Sequence, residues 1–166
     1  MKIIMTGQKT CSCCGPSAAV KTSCPACGTL SPEVERATVM AILKKTVKLP
    51  ADGVFSVCVN PACGVAYFSG GRTWAVKDAA VPLDFKKGAK VRYACYCNKL
   101  TYEEVTQVYK RTGAVNWAEV VKAAKGAVKP SKCAEKNPFG KCCHGNSFKN
   151  ALEEAQAAGK KNETKK

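Results

Sequence analysis

Cys24-Pro-Ala-Cys27-Gly28 and Cys58-Val-Asn-Pro-Ala-Cys63-Gly64-Val-Ala-Tyr-Phe68 decide the fold of this 166-residue chain. Each stretch sets two cysteines across a tight turn and places a glycine directly after the second. Such a turn aims both sulfurs at one ion, and the glycine lets backbone amides approach the thiolates. Four thiolates from two turns make a closed tetrahedral site with no position left for water. That suits a structural zinc ion rather than a catalytic one. The candidate ligands are Cys24, Cys27, Cys58 and Cys63.

The residues around these turns are patterned for strands. Residues 54–59 and 65–68 are short apolar runs, and Gly70-Gly71 ahead of residues 73–76 is a hairpin signal. Residues 34–45 start extended and turn helical from Thr38. Residues 1–23 carry Ser, Thr, Gly and Lys without periodicity and are expected to be a loose arm. Residues 82–90 form a basic connector.

Twelve cysteines and a formal net charge of +15 dominate the composition. With 46% hydrophobic and 23% charged residues, the chain is not expected to be disordered, and its length fits one domain or two small ones. No apolar run approaches the roughly 18 residues of a membrane span. The apolar stretch within residues 1–10 is too short for the core of a signal peptide. The expected address is therefore the cytoplasm, where clustered cysteines are metal ligands rather than disulfides. Only four of the 27 cationic residues are arginine (Arg36, Arg72, Arg92 and Arg111). Base and phosphate recognition leans on arginine's bidentate fork, so a nucleic-acid partner is not expected. His144 is the single histidine, which excludes Cys2His2 zinc sites, Rieske clusters and the facial-triad iron site. No nucleophile elbow accompanies it.

After residue 88 the pattern becomes helical. Thr101 and Glu104 fit a capping box, followed by an apolar face of Val105, Val108 and Tyr109 and a stop at Gly113. Trp117, Val120, Val121 and Ala124 mark a second helix ending near Gly126. Ser147 is expected to cap a third, with Phe148, Leu152 and Ala155 inward. Residues 159–166 are a lysine-rich tail.

This half holds Cys95-Tyr-Cys97, Cys133, Cys142 and Cys143. Alternate residues of an extended segment point the same way, so Cys95 and Cys97 are expected to face one iron of a binuclear cluster. Two more thiolates must come from Cys133, Cys142 and Cys143. Extended neighbours point oppositely, so one of Cys142 and Cys143 is expected to be left out. Asn137-Pro-Phe-Gly140 offers a turn that returns the chain. The same sulfurs also suit a second zinc ion, and spacing alone leaves both readings open.

In order and spacing, CPACG (24–28), CVNPACGVAYF (58–68), CYC with a capped helix (95–105) and C-x3-NPFGKCC (133–143) resemble the amino-terminal region of CopZ-type copper chaperones. The resemblance covers about residues 11–157. It implies an α+β chain with four parts: an arm (1–23), a small β-rich zinc-binding domain (24–88), a short-helix [2Fe–2S] domain (89–158) similar to bacterioferritin-associated ferredoxin, and a basic tail (159–166). It implies zinc on Cys24, Cys27, Cys58 and Cys63. It also implies a [2Fe–2S] cluster on Cys95, Cys97, Cys133 and, by the family's spacing, Cys143 rather than Cys142. Cys11, Cys13 and Cys14 remain for transient capture of a soft ion such as Cu+.

The expected function is metal-binding and non-enzymatic, namely one-electron support for copper chaperoning by reduction of Cu(II) to Cu(I). The expected partners are copper ions and a copper-transporting ATPase or redox protein. Two other classes are weighed against it. One is a zinc-ribbon nucleic-acid-binding protein, and the other is a ferredoxin-like electron donor to an enzyme.

Overall fold

The computed structural model describes residues 21–163. Five short strands form an antiparallel meander in chain order: β1 (Lys21–Ser23), β2 (Leu30–Val34), β3 (Phe55–Val57), β4 (Val65–Ser69) and β5 (Arg72–Ala75). In such a meander the β1–β2 and β3–β4 turns emerge at the same end of the sheet. Those two turns are the ones that carry Cys24–Cys27 and Cys58–Cys63. The β2–β3 connection leaves from the opposite end and holds helix α1 (Arg36–Ile42).

Residues 21–23, expected as the end of a loose arm, instead pair with β2 in the register Lys21↔Pro32 to Ser23↔Leu30. The first cysteine turn needs a strand on each side, and β1 supplies one. The remainder of the arm, with Cys11, Cys13 and Cys14, lies outside the described residues. Strands β3 and β4 are buried along their whole lengths, which suits their largely apolar sequence. Phe55, Val57, Tyr67 and Trp74 pack with Val39 and Ile42 of α1. Val65 and Phe68 pack beside Cys24 and Cys58.

The second half opens with a two-stranded ladder, β6 (Tyr93–Cys95) and β7 (Leu100–Thr101), and continues into α2 (Tyr102–Thr112). The capping box is present: the Glu104 amide donates to Thr101 Oγ1 at 3.1 Å, and the Thr101 amide donates to Glu104 Oε2 at 2.9 Å. Gly113 ends α2 in the left-handed region (φ 70°). Helix α3 (Trp117–Lys125) is capped by the Asn116 side chain and stops before Gly126. Helix α4 (Cys133–Lys136) is a single turn, which no periodic pattern announces.

The last helix, α5 (Lys149–Glu163), does not begin at a Ser147 cap. The chain enters it through a wide π-type turn over His144–Phe148, in which the Phe148 amide donates to the Cys143 carbonyl at 3.1 Å. Burial of Phe148 against Ala94, Val105 and Ala151 sets this entry instead of a cap. The helix also runs to Glu163, inside the stretch expected as a tail.

The two halves have separate cores and meet through a loop. Pro138 and Phe139, from the loop after α4, reach back onto the sheet. The buried Tyr67 hydroxyl donates to the Pro138 carbonyl at 2.7 Å. Phe139 packs on Phe85 with ring centroids 4.9 Å apart. Gly140 has φ 65° and lies so close to α1 that a Cβ would come within 2.6 Å of Thr38 Oγ1, so only glycine fits there.

Candidate metal centres

The first centre sits at the shared end of the meander. The sulfurs of Cys24, Cys27, Cys58 and Cys63 all lie within 4.8 Å of one another, with Cys24 and Cys58 buried and the other two half-buried. Backbone bonds shape both turns. The Cys24 amide donates to the Thr29 carbonyl (3.0 Å) and the Gly28 amide to the Cys24 carbonyl (2.8 Å), with Gly28 at φ 71°. In the second turn the Ala62 amide donates to Asn60 Oδ1 (3.0 Å) and the Cys63 amide to the Asn60 carbonyl (3.2 Å). The Thr29 hydroxyl, 3.4 Å from the Cys27 sulfur, is the main influence holding that thiol down at about 6, aided by the Thr29 backbone. Burial pushes the Cys58 thiol up to about 12. A divalent cation taking all four as thiolates displaces the remaining protons, so loading this site releases acid. Four sulfurs with no water position fit Zn2+ as a structural ion.

The connector after the sheet completes this centre. Lys86 is only 5% exposed, and its Nζ donates to the carbonyls of Asn60 (2.9 Å) and Cys63 (3.2 Å). On the connector's other side Asp84 accepts from the Tyr96 hydroxyl (2.7 Å) and from the Tyr93 amide (3.1 Å). A lysine within a run of lysines gives no sequence signal of this role.

The second centre is built differently. Cys95, Cys97, Cys133, Cys142 and Cys143 border one cavity of about 260 Å³, together with Asn98, Trp117, Ser131 and His144. Their sulfurs fall into two groups. Cys97 and Cys133 are 3.8 Å apart with Cys142 hydrogen-bonded to Cys133, and the Cys143 thiol donates to Cys95. Cys95 and Cys97 therefore do not form one couple as their alternate spacing predicts. Strand β6 ends at Cys95, and the following turn, with Lys99 at φ 51°, re-aims Cys97. Cys142 and Cys143 both border the cavity, because Cys143 has helical dihedrals (φ −76°, ψ −17°) rather than the extended ones that would separate them.

Amide donors from side chains and backbone reach the sulfurs of this group. Asn98 Nδ2 donates to Cys95 (3.5 Å), Asn137 Nδ2 to Cys143 (3.1 Å) and the Lys132 amide to Cys97 (3.3 Å). Both asparagines are buried, and sequence reasoning missed both. The Cys143 thiol, donating to Cys95, is the main influence that holds Cys95 down at about 5. The same bond, with burial, pushes Cys143 up. Burial pushes Cys133 up to about 12, and neighbouring Cys97 adds to it. Two groups of thiols bordering one cavity, with amides aimed at the sulfurs, fit a binuclear [2Fe–2S] group, because such donors stabilise cluster charge.

The family model of the CopZ zinc-binding domain matches residues 21–81, the sheet with both cysteine turns. The computed structure superposes on the X-ray structure of the Archaeoglobus fulgidus CopZ N-terminal domain with a TM-score of 0.62. That match has 26% identity and covers 79% of this chain and 98% of the other. The chain resembles the CopZ amino-terminal region. The copper chaperone CopZ of Archaeoglobus fulgidus is 28% identical over 121 residues, which are 73% of this chain. The match spans 57% of that relative's length. The resemblance read from the four motifs is thus shown. The CopZ-type region is an α+β unit in which a small antiparallel zinc-binding sheet is joined to helices, and no helix among the described residues is long and apolar enough to cross a membrane.

Proposed function

We propose that the chain is a cytoplasmic metalloprotein of copper homeostasis, with a structural zinc ion in the sheet and a [2Fe–2S] cluster in the helical half. Cys24, Cys27, Cys58 and Cys63 hold the zinc. Cys95, Cys97, Cys133 and Cys143 hold the cluster. One observation carries the reading: the first four sulfurs converge on a single point, whereas the second set divides into two groups bordering a cavity of about 260 Å³. One centre has the shape for a mononuclear ion and the other for a binuclear group. When bound, the cluster supplies a single electron, the difference between Cu(II) and the Cu(I) that thiolates carry.

The chain's own residues do the rest. Asn98 and Asn137 orient and stabilise two of the sulfurs, and Trp117 and His144 stack at 5.7 Å on the cavity rim. The copper chaperone named above supports copper ions as cargo, with a copper-transporting ATPase or a redox protein as partner. The metal content of anaerobically purified protein tests the reading. About two irons, two acid-labile sulfides and one zinc per chain are expected. Two zincs without labile sulfide overturn the cluster and leave a two-zinc protein.

A further inference from the structure

Lys86 is the buried charged residue among the described residues, and no carboxylate pairs with it there. A buried ammonium is costly unless something nearby offsets its charge. Two carbonyls meet its Nζ, those of Asn60 at 2.9 Å and Cys63 at 3.2 Å, and the Phe85 ring centroid lies 5.6 Å away. Both carbonyls belong to the turn that carries Cys58 and Cys63. The next residue locks to the same turn, with the Lys87 amide donating to the Pro61 carbonyl at 2.8 Å. The connector thus grips three carbonyls of one metal-binding turn, those of Asn60, Pro61 and Cys63, from a position beyond the 21–81 stretch that the zinc-binding family covers.

Four thiolates around a divalent cation leave two excess negative charges in a partly buried site. An ammonium fixed at the ligand turn stabilises that anionic state. We propose that Lys86 is a positioning residue of the four-cysteine centre. It braces the turn that presents Cys58 and Cys63, and its charge offsets that of the metal-loaded site and slows loss of the ion. The proposal rests on the reading that these four cysteines hold zinc.

The test uses full-length zinc-loaded protein and the chelator 4-(2-pyridylazo)resorcinol in excess. Lys86→Met keeps the apolar stem and removes the charge and both bonds, whereas Lys86→Arg keeps a cation. Zinc release from Lys86→Met should be at least about tenfold faster than from the parent, with Lys86→Arg recovering most of the difference. A purely packing role would not shift the pH at which the site loads. The midpoint pH for loading Cd2+, followed by its thiolate absorption, should rise in Lys86→Met and return in Lys86→Arg. Release rates and loading midpoints equal to the parent's in Lys86→Met overturn the proposal. If Lys86→Met does not fold, Lys86→Arg decides alone, with parent-like retention supporting the role and rapid loss from a folded protein overturning it. A parent protein that holds no zinc fails the zinc reading itself, and this proposal with it. That outcome is recognised before any variant is compared.

Discussion

The two cysteine centres are assembled by opposite routes. The first draws four cysteines from two turns at one end of a meander, and the sheet's hydrogen-bonded register delivers all four sulfurs to one point. The second gathers sulfurs from a strand end, a one-turn helix and the entry to α5, so Cys95 and Cys143 meet across 47 intervening residues. Local structure builds the first centre. Tertiary packing builds the second, with buried asparagines supplying the order that strands supply to the first. The comparison teaches that a compact four-sulfur site needs only a short fold, while a divided one depends on everything packed around it.

The most severe way to break this comparison is to remove a ligand from each centre in turn. Cys24→Ser should abolish zinc retention and unfold the sheet, because the binding energy of a structural zinc, on the order of 10 kcal/mol, is folding energy. Iron should fall with it, since the loop from Cys133 to Cys143 is seated on that sheet through Tyr67 and Phe85. Cys95→Ser should cost iron while leaving about one zinc bound. Elemental analysis of the two variants reads this asymmetry directly. Zinc loss from Cys95→Ser would show the dependence to be mutual.

A smaller lesion sharpens the description of the second centre. Cys143 is buried, is bonded to Cys95 and accepts from Asn137, whereas Cys142 is half-buried beside Cys133. Cys143→Ala should therefore lose the visible absorption and the iron, and Cys142→Ala should retain both. The reverse pattern would move the ligand register by one residue.

The smallest effect belongs to a change that touches neither centre. Thr101→Ala removes the cap of α2 and should destabilise the helical half by about 1 kcal/mol. Metal content should stay at the parent level, with the loss read from denaturant unfolding of loaded protein. A fall in iron content here would mean that the second centre senses the stability of α2.

The first centre was legible because its information is local. Two cysteine pairs in turns, each followed by glycine and flanked by apolar runs, specify a site without reference to distant residues. The Thr101 box and the glycine stops were legible for the same reason. The pairing within the second centre was not. Alternation in an extended segment predicts Cys95 and Cys97 together, but β6 stops at Cys95 and the turn through Lys99 redirects the next sulfur. Asn98, Asn137 and Lys86 are ordinary residues in a sequence. Burial alone gives them meaning, and burial at these positions is set by contacts between segments far apart in the chain.

The loop from Asn137 to Gly140 changes what counts as a separable fragment. Its Pro138 carbonyl accepts the hydrogen bond of the buried Tyr67 hydroxyl, and its Phe139 ring covers Phe85. A fragment cut after residue 88 would keep Tyr67 and lose its acceptor, leaving a hydroxyl without a partner in an apolar interior and the Phe85 ring in water. The complementary fragment would carry Phe139 as an exposed aromatic on the loop that presents Cys133 and Cys143. Expression of either half alone should then give protein prone to self-association through those two rings. The chain's modular order in sequence does not make it modular in solution.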